Sequence, residues 1–527
     1  MNDPVEVADV SKRATGIRTQ NGAGGGARVV RRHGFGTRTE ENQPLGQFVP
    51  TGKFGRMFPE IPPLIPSLES LSELGAAMLD TRPHNKPDDT TGDNEKVPAG
   101  FTYLGQFIDH DITFDTTALQ EVIVDPLALR NFRTPMLDLD CLYGMGPVAQ
   151  PYLYDRNDND KFLIGRTNVN PGGGDSDVPT GLPHDLVRAP HGFALIGDPR
   201  NDENLIVGQT HLAFLRFHNK VVDWLREDPT RREAPLRKTI FEEARDTVIW
   251  HYQWIVVHDF LRRLLDEKQL GIVLRGEGER FYHLDEGQDA FIPVEYSAAA
   301  YRFGHTMVRE VYDYNRVFNL TSPIPGSLDL IFRFSGLSGG GGGVPIPSDW
   351  IIDWRRFFEV GGGVSHGFSR RLDPFLAQTL QDLPGVPAPK SLAIRNLLRG
   401  RSLGLPPGQS VAKFMGFDPL KPSDIEQGPD GEIAKKHNLH IETPLWYYVL
   451  KEAELQGGGE RLGQVGSRIV AEVFIGLLRA DIGSYLSRKP NWTPVLPGKN
   501  KGDFTMADLL NFMGEINPIG DGQSDGS

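Results

Sequence analysis

Residues 104–112, Leu-Gly-Gln-Phe-Ile-Asp-His-Asp-Ile, restrict the fold more than any other stretch of this chain. At about 100° per residue, a helix here gathers Leu104, Phe107, Ile108 and Ile112 on one apolar arc. Gln106, Asp109 and His110 stand at i, i+3 and i+4 and share the opposite arc. Asp111 falls away to the other side. The back of such a helix must be buried in a core. Its front, a histidine able to take a proton beside a Gln and a carboxylate, reads as the wall of an active site.

The chain has 527 residues, enough to bury a large core, and length alone allows roughly two to four domains. With 39% hydrophobic and 24% charged residues it is neither disordered nor fibrous. A net charge of -13 argues against nucleic acid or anionic lipid as main partner. No apolar run approaches the ~20 residues that span a bilayer. The first ~30 residues lack the apolar segment of a secretory signal. The expectation is a cytoplasmic protein, or one exported by a leaderless route. The single cysteine, Cys141, excludes an intrachain disulfide.

Residues 1–70 read as an N-terminal arm, Gly- and Arg-rich at first and Pro-rich from Phe58 to Leu68, and partly disordered. Residues 519–527 read as a disordered tail. Between them helical periodicity dominates, with clear helices expected at 205–225, 236–265, 296–312, 374–380 with its flanks, and 462–486. Strand signals are short, around Phe281 and Phe291, and residues 81–96 suggest a polar surface loop. The run Gly339–Gly343 lacks a following Gly-Lys-Ser/Thr and reads as a loop, not a phosphate cradle. The expected fold is mostly α: a single large helical domain over 71–518 with few short strands.

Four further segments carry chemistry. In Ala300-Tyr301-Arg302-Phe303-Gly304-His305, the small residues Ala298 to Ala300 and Gly304 would let a bulky planar group approach, and Arg302 and His305 stand at i, i+3. Asp198-Pro199-Arg200 is a turn signal that sets Arg200 at an element boundary, followed by Glu203, Asn204 and a helix containing Leu215-Arg216-Phe217-His218-Asn219. Asn396-Leu397-Leu398-Arg399-Gly400-Arg401 precedes Gly404-Leu405-Pro406. Thr134, Met136, Asp138 and Asp140 alternate, and hard oxygen donors in that pattern suit Ca²⁺. Taken singly, each has a plainer reading: a satisfied core histidine, a solvated turn, a basic surface turn, a polar loop.

Taken together and in this order, behind Gln106-x-x-Asp109-His110-Asp111, they resemble the animal-type haem peroxidases of the peroxidase–cyclooxygenase superfamily, and among these the bacterial, disulfide-free members. The resemblance implies a haem b enzyme that reduces H₂O₂ and oxidises a small phenolic, aromatic or halide donor. It implies that His110 is the distal acid–base, that Arg200 stabilises charge as the O–O bond breaks, and that Gln106 touches distal water and halide. His305 would bind haem iron. Asn396 would accept a hydrogen bond from His305 and fix its tautomer, while Arg302 and Arg399 meet the propionates.

The resemblance also implies Ca²⁺ on Asp111, Thr134, the Met136 carbonyl, Asp138 and Asp140, the last in place of a Ser. Asp109 and Glu203 stand at the family's two haem-ester positions. Asn204 stands where myeloperoxidase has the Met of a sulfonium link, so up to two esters and no sulfonium are expected. The dioxygenase branch carries a radical Tyr three residues before the proximal His; here that residue is Arg302, which favours a peroxidase over a fatty-acid dioxygenase. A non-catalytic haem-binding or adhesive module is the other alternative, and His110 and Arg200 count against it.

Overall fold

The computed structural model describes residues 28–31, 37–40, 53–83, 89–114, 131–168, 177–190, 192–233, 237–284, 289–333, 345–383 and 386–522. The chain divides into two units, Met1–Val49 and Pro50–Ser527. In the first, strands Arg28–Arg31 and Thr37–Glu40 pair antiparallel. The second is built from helices, and its described strands form only two-stranded sheets. Phe54, Met57 and Phe58 are buried there, so the packed body begins upstream of residue 71.

The two-faced helix forms over Gly100–Ile112. Leu104, Phe107, Ile108 and Ile112 on its back are each 0% exposed. Phe107 stacks on Phe214 with ring centroids 4.8 Å apart, and Tyr252 meets both rings edge-on. Phe214 belongs to the helix Leu205–Glu227 and Tyr252 to Ile240–Ile255. Each buried aromatic contributes about 1.5–3 kcal/mol, so this cluster ties the three helices together. Asn204 starts the second by accepting a hydrogen bond from the Val207 N–H, at 2.9 Å. A reciprocal Thr239–Glu242 capping box starts the third. That helix widens into a π turn at Val256–Phe260, and Phe260 packs against the distal helix at Gly105. A Cβ on Gly105 would lie 3.1 Å from the Phe260 ring, which explains the glycine.

Several expected elements differ. The helix expected at 296–312 is broken into Val294–Ser297 and a 3₁₀ stretch, Ala300–Met307. The Ser297 carbonyl accepts from Arg302 Nε at 2.9 Å, so a side chain takes the acceptor that a continuing helix would use. In 3₁₀ geometry residues i and i+3 eclipse, which aligns Arg302 with His305. Of 374–380, only Gln378–Gln381 is helical; Leu376 instead exchanges backbone hydrogen bonds with Met78 and Asp80.

Within 81–96, Asp93–Pro98 is a strand paired with Phe368–Arg370 rather than a surface loop. Its polar composition misleads because the buried Arg370 pairs with Asp93 at 2.7 Å and Asp80 at 2.9 Å. Phe281 forms no strand; its N–H donates to Glu472. Ile292–Pro293 does, parallel to Phe54–Gly55. Ile519 is buried and Asp521 pairs with Arg355, so the tail is held as far as Asp521. Gly339–Gly343 lies outside the described residues.

Candidate functional site

A cavity of about 640 Å³ lies between the Gly100–Ile112 helix and the Ala300–Met307 stretch. Gln106, Asp109, His110, Arg200, Glu203, Arg302, His305 and Arg399 all line it. The remaining wall is largely apolar and includes Phe260, Leu328, Phe332 and Leu392. Segments nearly 300 residues apart in the chain thus converge on one space, with an imidazole from each of two opposed elements.

On the distal wall His110 is 4% exposed. Burial first, and then the neighbouring Arg200 charge, push its pKa down to about 3, so the ring is neutral at ordinary pH. Its Nδ1 lies 2.8 Å from Asn201 Oδ1, and its Nε2 lies 3.6 Å from Glu203 Oε1. Arg200 is oriented by Asp198, donating from Nε at 3.1 Å and from Nη2 at 2.7 Å, and by the His110 and Thr113 carbonyls. Its guanidinium lies over the Phe114 ring at 4.4 Å. Burial would raise the Asp198 carboxyl, but Arg200 and Arg133 hold it down at about 2, so it remains the anion that Arg200 needs.

Gln106 Nε2 donates to Glu203 Oε1, and Gln106 Oε1 accepts from Asn204 Nδ2 at 2.9 Å. Asn204 therefore both caps a helix and orients Gln106. Burial raises Glu203 to about 7 and raises Asp109 above its ordinary range. Asp109 accepts from Thr113 Oγ1 at 3.0 Å.

On the proximal wall the expected His305–Asn396 contact is present, at 2.7 Å, but its polarity is reversed. The Asn396 oxygen accepts from Arg302 Nη1 at 2.7 Å, so the amide nitrogen faces His305 Nδ1. Arg302 can only donate, and it therefore turns the amide. Iron at Nε2 requires a proton on Nδ1 and hence the opposite face of the amide. Burial and Arg302 lower the His305 pKa to about 3, leaving the ring neutral as a ligand must be. A Cβ on Gly304 would meet nothing within 4 Å, so there is open space beside His305. An apolar slot with neutral imidazoles on two walls and arginines in its lining suits an iron tetrapyrrole.

Asp111 points away from the cavity into a separate cluster. Ligand oxygens of Asp111, Asp138 and Asp140 lie within 4.8 Å of one another, all buried. The Thr134 hydroxyl lies 3.3 Å from Asp138 and 3.4 Å from Asp140. Asp111 Oδ2 accepts from the Leu139 N–H, and the buried Tyr252 hydroxyl stands beside the same carboxylate. Burial, then Asp138 and Asp140, push the Asp111 carboxyl well above its ordinary range.

Two residues at the site escaped the sequence reading. Asn201 meets His110, and Asn201 Nδ2 lies 3.0 Å from His211 Nδ1. The one available signal was position: Asn201 follows Arg200 in the turn, and His211 shares a helix with Phe214. His218 packs away from the cavity against Tyr143, whose hydroxyl lies 3.0 Å from its Nδ1.

Comparison with known proteins gives the family and the fold. The family model described as animal haem peroxidase matches residues 121–482. A peroxidase-like protein of Margaritifera margaritifera is 28% identical over 243 residues, which are 40% of this chain and 26% of that protein. A chorion peroxidase of Drosophila melanogaster is 26% identical over 302 residues, 54% of this chain and 34% of that one. The matched regions thus span about a quarter to a third of these relatives.

Among solved structures, peroxidase A from Dictyostelium discoideum superposes with a TM-score of 0.56 at 18% identity, covering 88% of this chain and 95% of that chain. A fatty acid alpha-dioxygenase of Arabidopsis thaliana gives 0.54 at 15% identity, covering 80% and 72%. At these identities the likeness is one of fold. Among the described residues no helix is long and apolar enough to cross a membrane.

Proposed function

Because the chain belongs to the animal haem peroxidase family, we propose that its cavity holds haem b between His110 and His305 and that the protein reduces H₂O₂ while oxidising a small phenolic, aromatic or halide donor. The observation that carries this reading is the convergence of His110, Arg200, Arg302 and His305 on one cavity. Haem, once held, supplies the redox couple that passes two electrons to peroxide and recovers them from the donor.

The chain's own residues do the rest. His110, neutral and facing the cavity, takes a proton from the near oxygen of peroxide and returns it to the departing one. Such general acid–base work contributes roughly 10²–10⁴ in rate. Arg200, fixed by Asp198, meets the developing negative charge, worth roughly 10²–10³. Gln106, held by Glu203 and Asn204, orders the water or halide beside them. His305 would hold the haem iron, and Asn396 would then have to turn its amide oxygen to Nδ1. Arg302 and Arg399 would hold the propionates. Asp109 and Glu203 supply the carboxyls for up to two ester links; haem that leaves freely into acidic organic solvent would exclude them.

A Ca²⁺ on Asp111, Thr134, the Met136 carbonyl, Asp138 and Asp140 is supported by the converging buried carboxylates and by the Thr134 hydroxyl beside them. It would lock the backbone that presents His110. The peroxidase domain comprises residues 71–518 together with the packed segment that carries Phe54, Met57 and Phe58, with Met1–Val49 an extension. Arg302, engaged with Asn396 and Ser297, occupies the place of the radical Tyr and weighs against a dioxygenase.

The test is the visible spectrum of the purified, haem-supplied protein before and after one equivalent of H₂O₂. A ferric Soret band that converts rapidly and returns on adding a phenol supports the reading. A band that peroxide only bleaches points to a binding module, and absence of haem removes the assignment of His305.

A further inference from the structure

The distal histidine is not an isolated base. A neutral imidazole carries one proton, and only the nitrogen without it can accept another. His110 must therefore present an unprotonated Nε2 to the cavity. Asn201 Oδ1 lies 2.8 Å from Nδ1, and an amide oxygen can only accept, so this contact keeps the proton on Nδ1.

An amide that turned over would do the opposite: its nitrogen would donate to Nδ1 and drive the proton to Nε2, facing the cavity. His211 Nδ1 lies 3.0 Å from Asn201 Nδ2, and in the tautomer that carries its proton on Nε2 it accepts on the far side and favours the observed sense. The three side chains are 4%, 0% and 1% exposed, so no solvent replaces a lost partner. The Asn201 backbone is held as well, its N–H donating to the Asp198 carbonyl at 3.0 Å. His211 is wedged edge-on against Phe107, the same ring that anchors the distal helix.

We propose that Asn201 is a positioning residue that fixes the tautomer and ring orientation of His110, and that His211 sets the sense of the Asn201 amide. One 3₁₀ turn, Pro199–Asp202, would then deliver both Arg200 to the cavity and Asn201 to the back of the base. The proposal rests on the reading of His110 as the distal base.

The tautomer can be read directly in the full-length haem protein. With ¹⁵N-labelled histidine, the ferrous CO complex is diamagnetic, and His110 is assigned by comparison with His110→Ala. The expected result is a protonated Nδ1 and an unprotonated Nε2; the reverse overturns the proposal without recourse to any further variant.

Association kinetics supply the second arm. HCN must give up a proton on binding ferric haem, whereas CO binding to ferrous haem needs no base. Asn201→Leu is expected to slow HCN association about 10- to 100-fold, as loss of an outer hydrogen-bond partner typically does, and to leave CO association unchanged. Asn201→Asp keeps the acceptor oxygen and is expected to restore the HCN rate. His211→Phe is expected to slow HCN and not CO. Parallel slowing of CO, or equal loss in the Leu and Asp variants, would reduce Asn201 to packing. If His110→Ala itself leaves HCN association unchanged, the base reading fails instead.

Discussion

Removing the cation from the carboxylate cluster is the most informative perturbation. Any two of the three ligand oxygens of Asp111, Asp138 and Asp140 lie within 4.8 Å. At an effective dielectric constant near 20, each ionised pair then costs about 3.5 kcal/mol, and all three carboxylates ionised at once about 10 kcal/mol, which together with burial is why the Asp111 carboxyl is pushed well above its ordinary range. That total is comparable with the whole stability of a typical fold, about 5–15 kcal/mol. Arg133 offsets only part of it: it stands 3.2 Å from Asp140 but also serves Asp198 at 2.9 Å. The cluster keeps an excess of negative charge that a divalent ion would neutralise.

Ca²⁺ at about 100 times its Kd should stabilise the protein by about 2.7 kcal/mol. Unfolding entropy near 2.1 cal/mol/K per residue is about 1 kcal/mol/K for the unit Pro50–Ser527, so Tm should rise by about 3 °C. The assay is thermal melting of the full chain in EDTA and across a Ca²⁺ series, with metal analysis of the purified protein. Asp138→Asn should shift the Ca²⁺ dependence to higher concentration. Mg²⁺, which demands a stricter octahedral site, should be the weaker stabiliser. A protein that carries no stoichiometric metal, and whose Tm ignores both EDTA and Ca²⁺, would refute the electrostatic argument.

Three other outcomes follow. His305→Ala should take up less haem or show a displaced Soret band, and an unaltered band would remove the axial assignment. Phe107→Ala empties a site that is 0% exposed and stacked on Phe214, so stability should fall by about 3–5 kcal/mol and Tm by a few degrees; an unchanged Tm would show that this ring does not anchor the distal helix. Glu452 is raised by burial to about 7, despite accepting from the Val465 and Gly466 N–H groups. Its folded pKa lies above the ordinary 4.5, so it disfavours folding by up to roughly 3 kcal/mol as pH rises from about 4.5 to 7. Glu452→Gln should flatten the Tm profile over that window, and an unchanged slope would place the titration elsewhere.

Much of the site was legible in the sequence because its key patterns are local. The 3.6-residue period alone separates Phe107 and Ile108 from Asp109 and His110, and the folded helix keeps that division. Arg302 and His305, three residues apart, share a face whether the turn is α or 3₁₀. Asp138 and Asp140 were marked by alternation of oxygen donors and Asp111 by the family resemblance, and their carboxylates meet.

What the tertiary structure alone decided depends on partners distant in the chain. Asp93 looks like a loop residue until Arg370 pairs with it inside the protein. The helix expected at 296–312 breaks where Arg302 captures the Ser297 carbonyl. The Asn396 amide faces one way because Arg302, 94 residues away in sequence, requires its oxygen. Asn201 and His211 reach His110 only because Phe107 and Phe214 stack two helices together. Periodicity records which face of a helix is apolar; it holds no record of which remote donor or acceptor will stand opposite a given amide or imidazole, and that choice made the difference between a list of reactive residues and a site.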